Sequence, residues 1–172
     1  MNSFLAEERK SGGLLIGLDI GGTKLHGLLV DRAGRVFESE TLPTGAEEGS
    51  DAITRRIYRL TERLLPRGSR VDAIGIGVPG VVNSDRGIVS HTARLGWYNV
   101  PLASILSELY SVPVYVANNT ELAALGQFVF GPAGEMDSLA TVLVGGGVGV
   151  GMVVNGTAYH GGREIGYLRV AD

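Results

Sequence analysis

The stretch "LLIGLDIGGTKLHGLLVD" (14–31) limits this chain more than any other. Two apolar, strand-like runs flank the pair Gly21-Gly22. A glycine pair between strands argues against a P-loop, whose glycines must open a helix and whose G-x-x-x-x-G-K-[ST] pattern is missing here. What remains is a β-hairpin whose tip carries no Cβ atoms, so its backbone N–H groups can approach an anion closely. Thr23 adds a hydroxyl donor and Lys24 a charge. Asp19 ends the first strand, where a carboxylate can hold Mg²⁺ through water. A plain hairpin that uses Gly-Gly for its turn angles satisfies the same spacing, and that alternative stays open.

A second loop of the same kind lies at "GGGVGVG" (145–151). It fails the strict G-x-G-x-x-G pattern and no helical segment follows it, which argues against a dinucleotide-binding fingerprint. Two glycine hairpins, one in each half of a duplicated fold, suggest a phosphate gripped from both sides of a cleft. The surrounding "LATVLVGGGVGVGMVVNGTAY" repeats the layout of the first hairpin, and Asn155-Gly156 is a strong hairpin turn signal.

Between these loops the pattern alternates. A third strand is expected over 34–43, giving an antiparallel meander with the first two. Residues 47–66 read as a helix, with Ile53, Ile57, Leu60 and Leu64 on one face, Ser50 or Asp51 as cap and Pro66 as stop. Arg55, Arg59 and Arg63 form a stripe on another face, which is read as a solvated surface. "VDAIGIGVPGVV" (71–82) is a buried strand running into a Pro-Gly turn, and residues 101–110 form an amphipathic helix. "VPVYVAN" (112–118) is a strand and 120–131 a helix ending at Gly131. Strands return at 139–147, 148–156 and 157–162. The order βββ-α-β-α-β-α followed by new strands is that of an α/β fold.

The 172 residues suffice for one ordinary domain with a real core. Glycine is abundant, at 27 residues, and clusters in loops, which suits backbone that approaches a ligand or turns sharply. A net charge of −3 offers no global basic field for nucleic acid. There is no cysteine, so disulfides and cysteine-based zinc sites are excluded. No apolar run reaches transmembrane length and the start lacks the apolar core of a signal peptide, so a cytoplasmic protein with no membrane contact is expected. His26, His91 and His160 are scattered without ligand spacing, and Trp97 is read as a core wedge.

Six segments in this order and spacing resemble the ROK family (repressors, open reading frames and sugar kinases) of the actin-like ATPase superfamily. They are "GLDIGGTK", "IGIGVPGVV", "LGWYNVPL", "VYVANNTELAALGQ", "GGGVGVGMVVNG" and "GGREIGYLRV". The resemblance implies an actin-like, ribonuclease-H-like fold with a five-stranded mixed sheet flanked by helices over 14–131. Residues 1–13 would be a flexible tail, and 132–172 would start a second actin-like copy, cut short at Asp172. It implies ATP and Mg²⁺ as possible cofactors, a small-molecule sugar as ligand and a homo-oligomer. Asp19, Gly21, Gly22 and Thr23, with Lys24 beside them, match the first phosphate motif, and Gly145, Gly146, Gly147, Gly149 and Gly151 the second. Gly80, Asn118 and Glu164 match positions that line or bind the sugar.

The departures bear on mechanism. Asn119 stands where the kinases have the aspartate that takes the proton from the attacking hydroxyl. Arg94 replaces a sugar-binding asparagine, Gly146 a threonine, and Tyr167 a histidine that binds sugar and, in many members, zinc. The family's cysteine-rich zinc motif would fall beyond residue 172, so no zinc site is expected here. A carboxamide cannot accept the proton a carboxylate accepts, although it still hydrogen-bonds a sugar hydroxyl. The pattern fits a sugar sensor of a transcriptional regulator, with DNA contacted only through a separate domain. An ATP-dependent hexose kinase of glucokinase type and a non-catalytic assembly module remain as alternatives. Glu121, the nearby carboxylate, is read as favourable charge at a helix start.

Overall fold

The structure, a computed structural model, describes residues 13–65, 70–131, 136–145 and 147–160, and the backbone of 163–164. The first expected hairpin forms from β1 (Leu15–Ile20) and β2 (Lys24–Val30), and β3 (Val36–Pro43) completes the antiparallel meander. A short 3₁₀ turn (Ala46–Glu48) leads into helix α1 (Ser50–Leu64). Strand β4 (Ala73–Val78) returns parallel to β1, and β8 (Val114–Asn118) adds parallel to β4. The result is one five-stranded mixed sheet in the order β3-β2-β1-β4-β8.

Alternation along the strands decides which face each helix covers. Ile16, Leu18, Ile20, Leu25, Leu29, Ile74, Ile76 and Val116 point to one face and are buried there. They meet Ile53, Ile57, Leu60 and Leu64 of α1, the apolar stripe expected from sequence, and Leu102 and Leu106 of α2 (Leu102–Tyr110). Gly27 permits this contact: a Cβ there would stand 2.5 Å from the Leu64 Cδ1. Helix α3 (Asn119–Phe130) meets the other face at Gly77, where a Cβ would lie 3.5 Å from the Asn119 Cα. α3 also packs on the second sheet, formed by β9 (Leu139–Val144), β10 (Val148–Val154), β11 (Thr157–Ala158) and β12 (Arg163–Glu164). One helix therefore sits between the two sheets.

Several local expectations are corrected. The buried strand expected within 71–82 forms as β4 and runs into the Pro79-Gly80 turn as expected, but a further short strand, β5 (Val81–Asn83), follows that turn. β5, β6 (Ile88–Thr92) and β7 (Trp97–Val100) form a three-stranded sheet not foreseen from the sequence. Its strands are short and expose Val81 and Tyr98 as well as polar residues, so they lack a sustained period, yet Val89, Leu95 and Trp97 anchor them in the main core. Gly49, not Ser50 or Asp51, is the N-cap of α1 and has no side-chain cap. The Asn155-Gly156 turn forms as expected, both residues at positive φ (48° and 73°), which suits the twist of paired strands. Among the described residues no helix is long and apolar enough to cross a membrane. The expected N-terminal tail, apart from Gly13, lies outside the described residues.

Candidate functional site

Parallel register brings the strand ends into line. Asp19 pairs with Gly77 of β4, and Gly77 with Ala117 of β8, one residue before the Asn118-Asn119 pair. With strands about 4.8 Å apart, Asp19 and the start of α3 stand roughly 10 Å from each other across the sheet. This is the carboxyl edge of the parallel strands, where open α/β sheets form ligand crevices. Because Asp19 and Gly77 share the face that α3 covers, both opposing groups border the same space.

Asp19 remains open to solvent, yet the surrounding protein desolvates its carboxyl enough to raise the pKa above the ordinary value. His26, its cross-strand neighbour, and Lys24 pull in the opposite direction. From sequence His26 counts only as one of three scattered histidines, with no link to Asp19. Period-two pairing across the hairpin was the signal that could have found it. Its Nε2 lies 3.1 Å from Ser39 Oγ.

The first glycine loop is held from several sides. Gly21 N–H donates to the Lys24 carbonyl at 2.9 Å, Thr44 N–H to the Thr23 carbonyl at 3.0 Å, and Thr44 Oγ1 to the Gly21 carbonyl at 2.7 Å. Neither Gly21 nor Gly22 has positive φ, so turn angles are not the reason for the pair. Space is the reason at Gly21, where a Cβ would meet the Lys24 carbonyl oxygen at 2.9 Å. At Gly22 the nearest neighbour is the side-chain stem of Arg94, whose Cδ lies 3.5 Å from the Cβ position. Thr44 is fully buried and lies 23 residues from Gly21, a spacing that no local sequence signal encodes.

Asn118 is buried, and its amide engages the protein at both ends. Nδ2–H donates to the Gly80 carbonyl at 2.8 Å, and Oδ1 accepts from the Thr120 N–H at 2.8 Å as the N-cap of α3. The Thr120 hydroxyl lies against both the same Oδ1 and the Val150 carbonyl (3.2 Å), and its single proton serves one of them at a time. Gly80 has φ of 103° and no room for a Cβ, which would stand 2.3 Å from the His91 carbonyl oxygen. A chain of contacts thus runs along this edge of the sheet: Asn118 to Gly80, Gly80 to His91 and Thr92, then Arg94 two residues on and Gly22. Asn119 follows at the first position of α3, partly exposed.

The second loop is built differently. Gly145 N–H donates to the Gly147 carbonyl at 2.9 Å, and nothing lies within 4 Å of a Cβ position at Gly145. Gly149 and Gly151 lie in β10 beneath α3, where a Cβ would collide with the Thr120 side chain and carbonyl respectively. Gly146 and Tyr167 lie outside the described residues, and Glu164 is placed by its backbone alone, opposite Gly149 in β12. Glu121, read as a helix-start charge, is also buried, with Oε2 3.4 Å from His160 Nδ1. Among the described residues no cluster of three or more His, Asp or Glu could hold a metal by itself. A recess of about 480 Å³ between α1 and α2, lined by Tyr58, Glu62 and Leu109 among others, lies on the opposite side of the sheet from Asp19.

The profile of the ROK family matches residues 15–172. A glucokinase of Halalkalibacterium halodurans is 33% identical over 163 residues, covering 90% of this chain and 49% of its own. A putative xylose repressor of Caldicellulosiruptor sp. is 30% identical over 174 residues, covering 96% and 44%. Among solved structures, a ROK family glucokinase from Streptomyces griseus in complex with glucose and AMPPNP superposes with a TM-score of 0.83 at 30% identity, covering 92% of this chain and 51% of that one. A ROK family transcriptional regulator, a homologue of the E. coli MLC protein, gives 0.76 at 26% identity, covering 87% and 39%. The chain spans about half the length of the curated relatives it matches.

Proposed function

The chain belongs to the ROK family, and from that premise we propose that it is a sugar-binding ROK module that recognises its ligand without phosphorylating it, as the sensor part of a transcriptional regulator. The observation that carries this reading is Asn119. It begins α3 at the carboxyl edge of β8, beside Gly77 and across the sheet from Asp19, and the family resemblance matches it to the position where the kinases carry an aspartate. Phosphoryl transfer relies on positioning and charge stabilisation plus a base for the attacking hydroxyl. A carboxamide supplies hydrogen bonds but no base. Glu121 does not substitute for it, because its carboxylate is buried against His160.

A kinase reading has one observation in its favour: the Asp19 carboxyl is open to solvent beside the first glycine loop. If Mg²⁺ accompanied a nucleotide here, a single protein carboxylate would suffice to hold it and it would help neutralise phosphate charge. Asp19, open to solvent beside Lys24 and the Gly21 loop, fits that role, and bound nucleotide would supply the phosphoryl group. Gly145, with free space around it, would close on the phosphates from the other hairpin.

Calorimetry of the full-length protein with a panel of monosaccharides, with and without ATP, tests the binding reading. A coupled phosphorylation assay of Asn119→Asp separates the two functions. Restoring a positioned base is worth about 10²–10⁴ in rate, so turnover should rise from background in that variant. Robust phosphorylation by the unaltered protein would remove the sensor reading.

A further inference from the structure

One buried residue brackets the first glycine loop. Thr44 follows β3 and is fully buried. Its hydroxyl donates to the Gly21 carbonyl at 2.7 Å, and its N–H donates to the Thr23 carbonyl at 3.0 Å. The carbonyls of the two residues that flank Gly22 therefore both point at Thr44. Thr44 is itself held by a third contact. Its carbonyl accepts from Arg56 Nη1 at 3.2 Å, and Nη2 of the same guanidinium pairs with Glu48. Gly45, at φ of 61°, leaves the space that this guanidinium fills, since a Cβ there would stand 2.3 Å from Nη1. The bracket thus runs from the loop through Thr44 to α1, which carries Arg56.

We propose that Thr44, backed by Arg56, is a positioning residue that keeps the Gly21–Gly22 peptide turned with its N–H, and not its carbonyl, toward the phosphate of a nucleotide at this loop. The inference rests on the phosphate reading of the loop given above and adds what keeps the loop in a binding conformation. A trans peptide is planar, and its N–H points opposite to its carbonyl. Fixing the Gly21 and Thr23 carbonyls on Thr44 therefore directs the Gly22 and Lys24 N–H groups away from it. N–H groups arrayed in this way make an anion-binding concavity. The Thr44 hydroxyl is the contact that fixes the Gly21–Gly22 peptide, which glycine would otherwise turn at little steric cost. A reversed peptide would present a carbonyl oxygen to the phosphate. The orientation matters the more because the Asp19 carboxylate, open to solvent beside the same loop, already opposes an anion. His26 and Lys24 offset that charge in part, and both draw the Asp19 pKa down against the larger effect of burial.

The test measures the ATP analogue AMPPNP and glucose separately, by calorimetry on the full-length protein in magnesium buffer. Thr44→Val removes the hydroxyl and keeps the shape, Thr44→Ser keeps the hydroxyl, and Arg56→Gln removes the support of the Thr44 carbonyl. Thr44→Val should weaken AMPPNP by about tenfold, the upper range for one hydrogen bond, and leave glucose affinity unchanged. Thr44→Ser should stay within about twofold of the unaltered protein, and Arg56→Gln should weaken AMPPNP by about two- to threefold. At equal saturation the Gly22 amide resonance should shift with AMPPNP in the unaltered protein and in Thr44→Ser, and stay in place in Thr44→Val. Equal AMPPNP affinity in Thr44→Val and the unaltered protein overturns this inference, as does a Thr44→Ser that behaves like Thr44→Val. A parallel fall in AMPPNP and glucose affinity also overturns it, because Thr44 would then serve the fold alone. No binding of AMPPNP to the unaltered protein removes the inference and leaves the sugar reading to the glucose measurement. Absence of glucose binding with the AMPPNP pattern intact removes the sugar reading alone. Thermal melting shows whether Thr44→Val folds; if it does not, AMPPNP affinity unchanged in Arg56→Gln overturns the inference.

Discussion

The two glycine hairpins look alike in sequence and differ in what their glycines do. In the first, Gly21 and Gly22 sit at the tip, braced by Lys24, Thr44 and Arg94. In the second, the tip at Gly145 is open, while Gly149 and Gly151 lie within β10 so that α3 can approach the sheet. One set keeps space for a tightly braced loop, the other for a helix. A glycine count cannot distinguish these uses, since absence of a Cβ serves both.

The comparison can be broken most easily at Gly151. A Cβ there would stand 1.9 Å from the Thr120 carbonyl oxygen, a backbone atom that cannot swing aside. Gly151→Ala should therefore destabilise the protein by about 3 kcal/mol or more, the upper range for overpacking, read as a lowered urea midpoint. An unchanged midpoint would mean that α3 does not rest on β10 as described.

Asn118→Ala should come next. It removes the cap of α3 and leaves the half-buried Gly80 carbonyl without its donor, for a combined loss of about 2 kcal/mol. Asn118→Asp keeps the acceptor for Thr120 but places an oxygen against the Gly80 carbonyl, so it should not restore stability. Full recovery in the aspartate variant would show that the contact to Gly80 contributes nothing.

The same substitution at the two tips sharpens the contrast. Gly21→Ala forces the Lys24 carbonyl to give way and should cost about 1 kcal/mol, whereas Gly145→Ala should stay within about 0.5 kcal/mol. If phosphate approaches the second tip, Gly145→Ala weakens binding of an ATP analogue without moving the melting temperature. Equal stability losses at the two tips would erase the distinction drawn here.

The smallest effects are in pH dependence, and they have opposite signs at the two ends of the first hairpin. Asp31 is held below its usual range, first by the Arg35 backbone N–H, with the Arg35 side chain and Ala33 N–H contributing. Its contribution is present above the ordinary pKa of about 3.9 and is lost as pH falls through the lower folded value. Asp19 is raised by burial, so its contribution is present below the ordinary value and lost as pH rises through the folded one. Asp31→Asn should therefore lower stability at neutral pH and Asp19→Asn should increase it. Denaturation curves between about pH 3 and pH 7 would show the slope of the unaltered protein changing in opposite directions in the two variants.

Much of the main sheet was legible. Alternation in 14–31 and the stripe Ile53, Ile57, Leu60, Leu64 needed only local periodicity, and both appear where expected. The small sheet of β5 to β7 was not legible, because three to five residues per strand carry too few periods to stand out and Trp97 is buried by residues distant in sequence. The site divides in the same manner. Asp19 and the Gly21 loop could be read from a strand followed by glycines. The bracing by Thr44, the closure of Asn118 on Gly80 and the stem of Arg94 along Gly22 could not, since each joins segments 20 or more residues apart.

The amino-acid order alone determined the α/β class, the hairpin that carries Asp19, and the neutral character of position 119, because period, glycine placement and side-chain type are local properties. Only the tertiary structure decided which glycines make room for a braced loop and which for a helix, and that Asn118 serves the fold through both ends of its amide. Those outcomes depend on which atoms arrive from elsewhere in the chain, and a contact made across the sheet leaves no mark in the residues on either side of it.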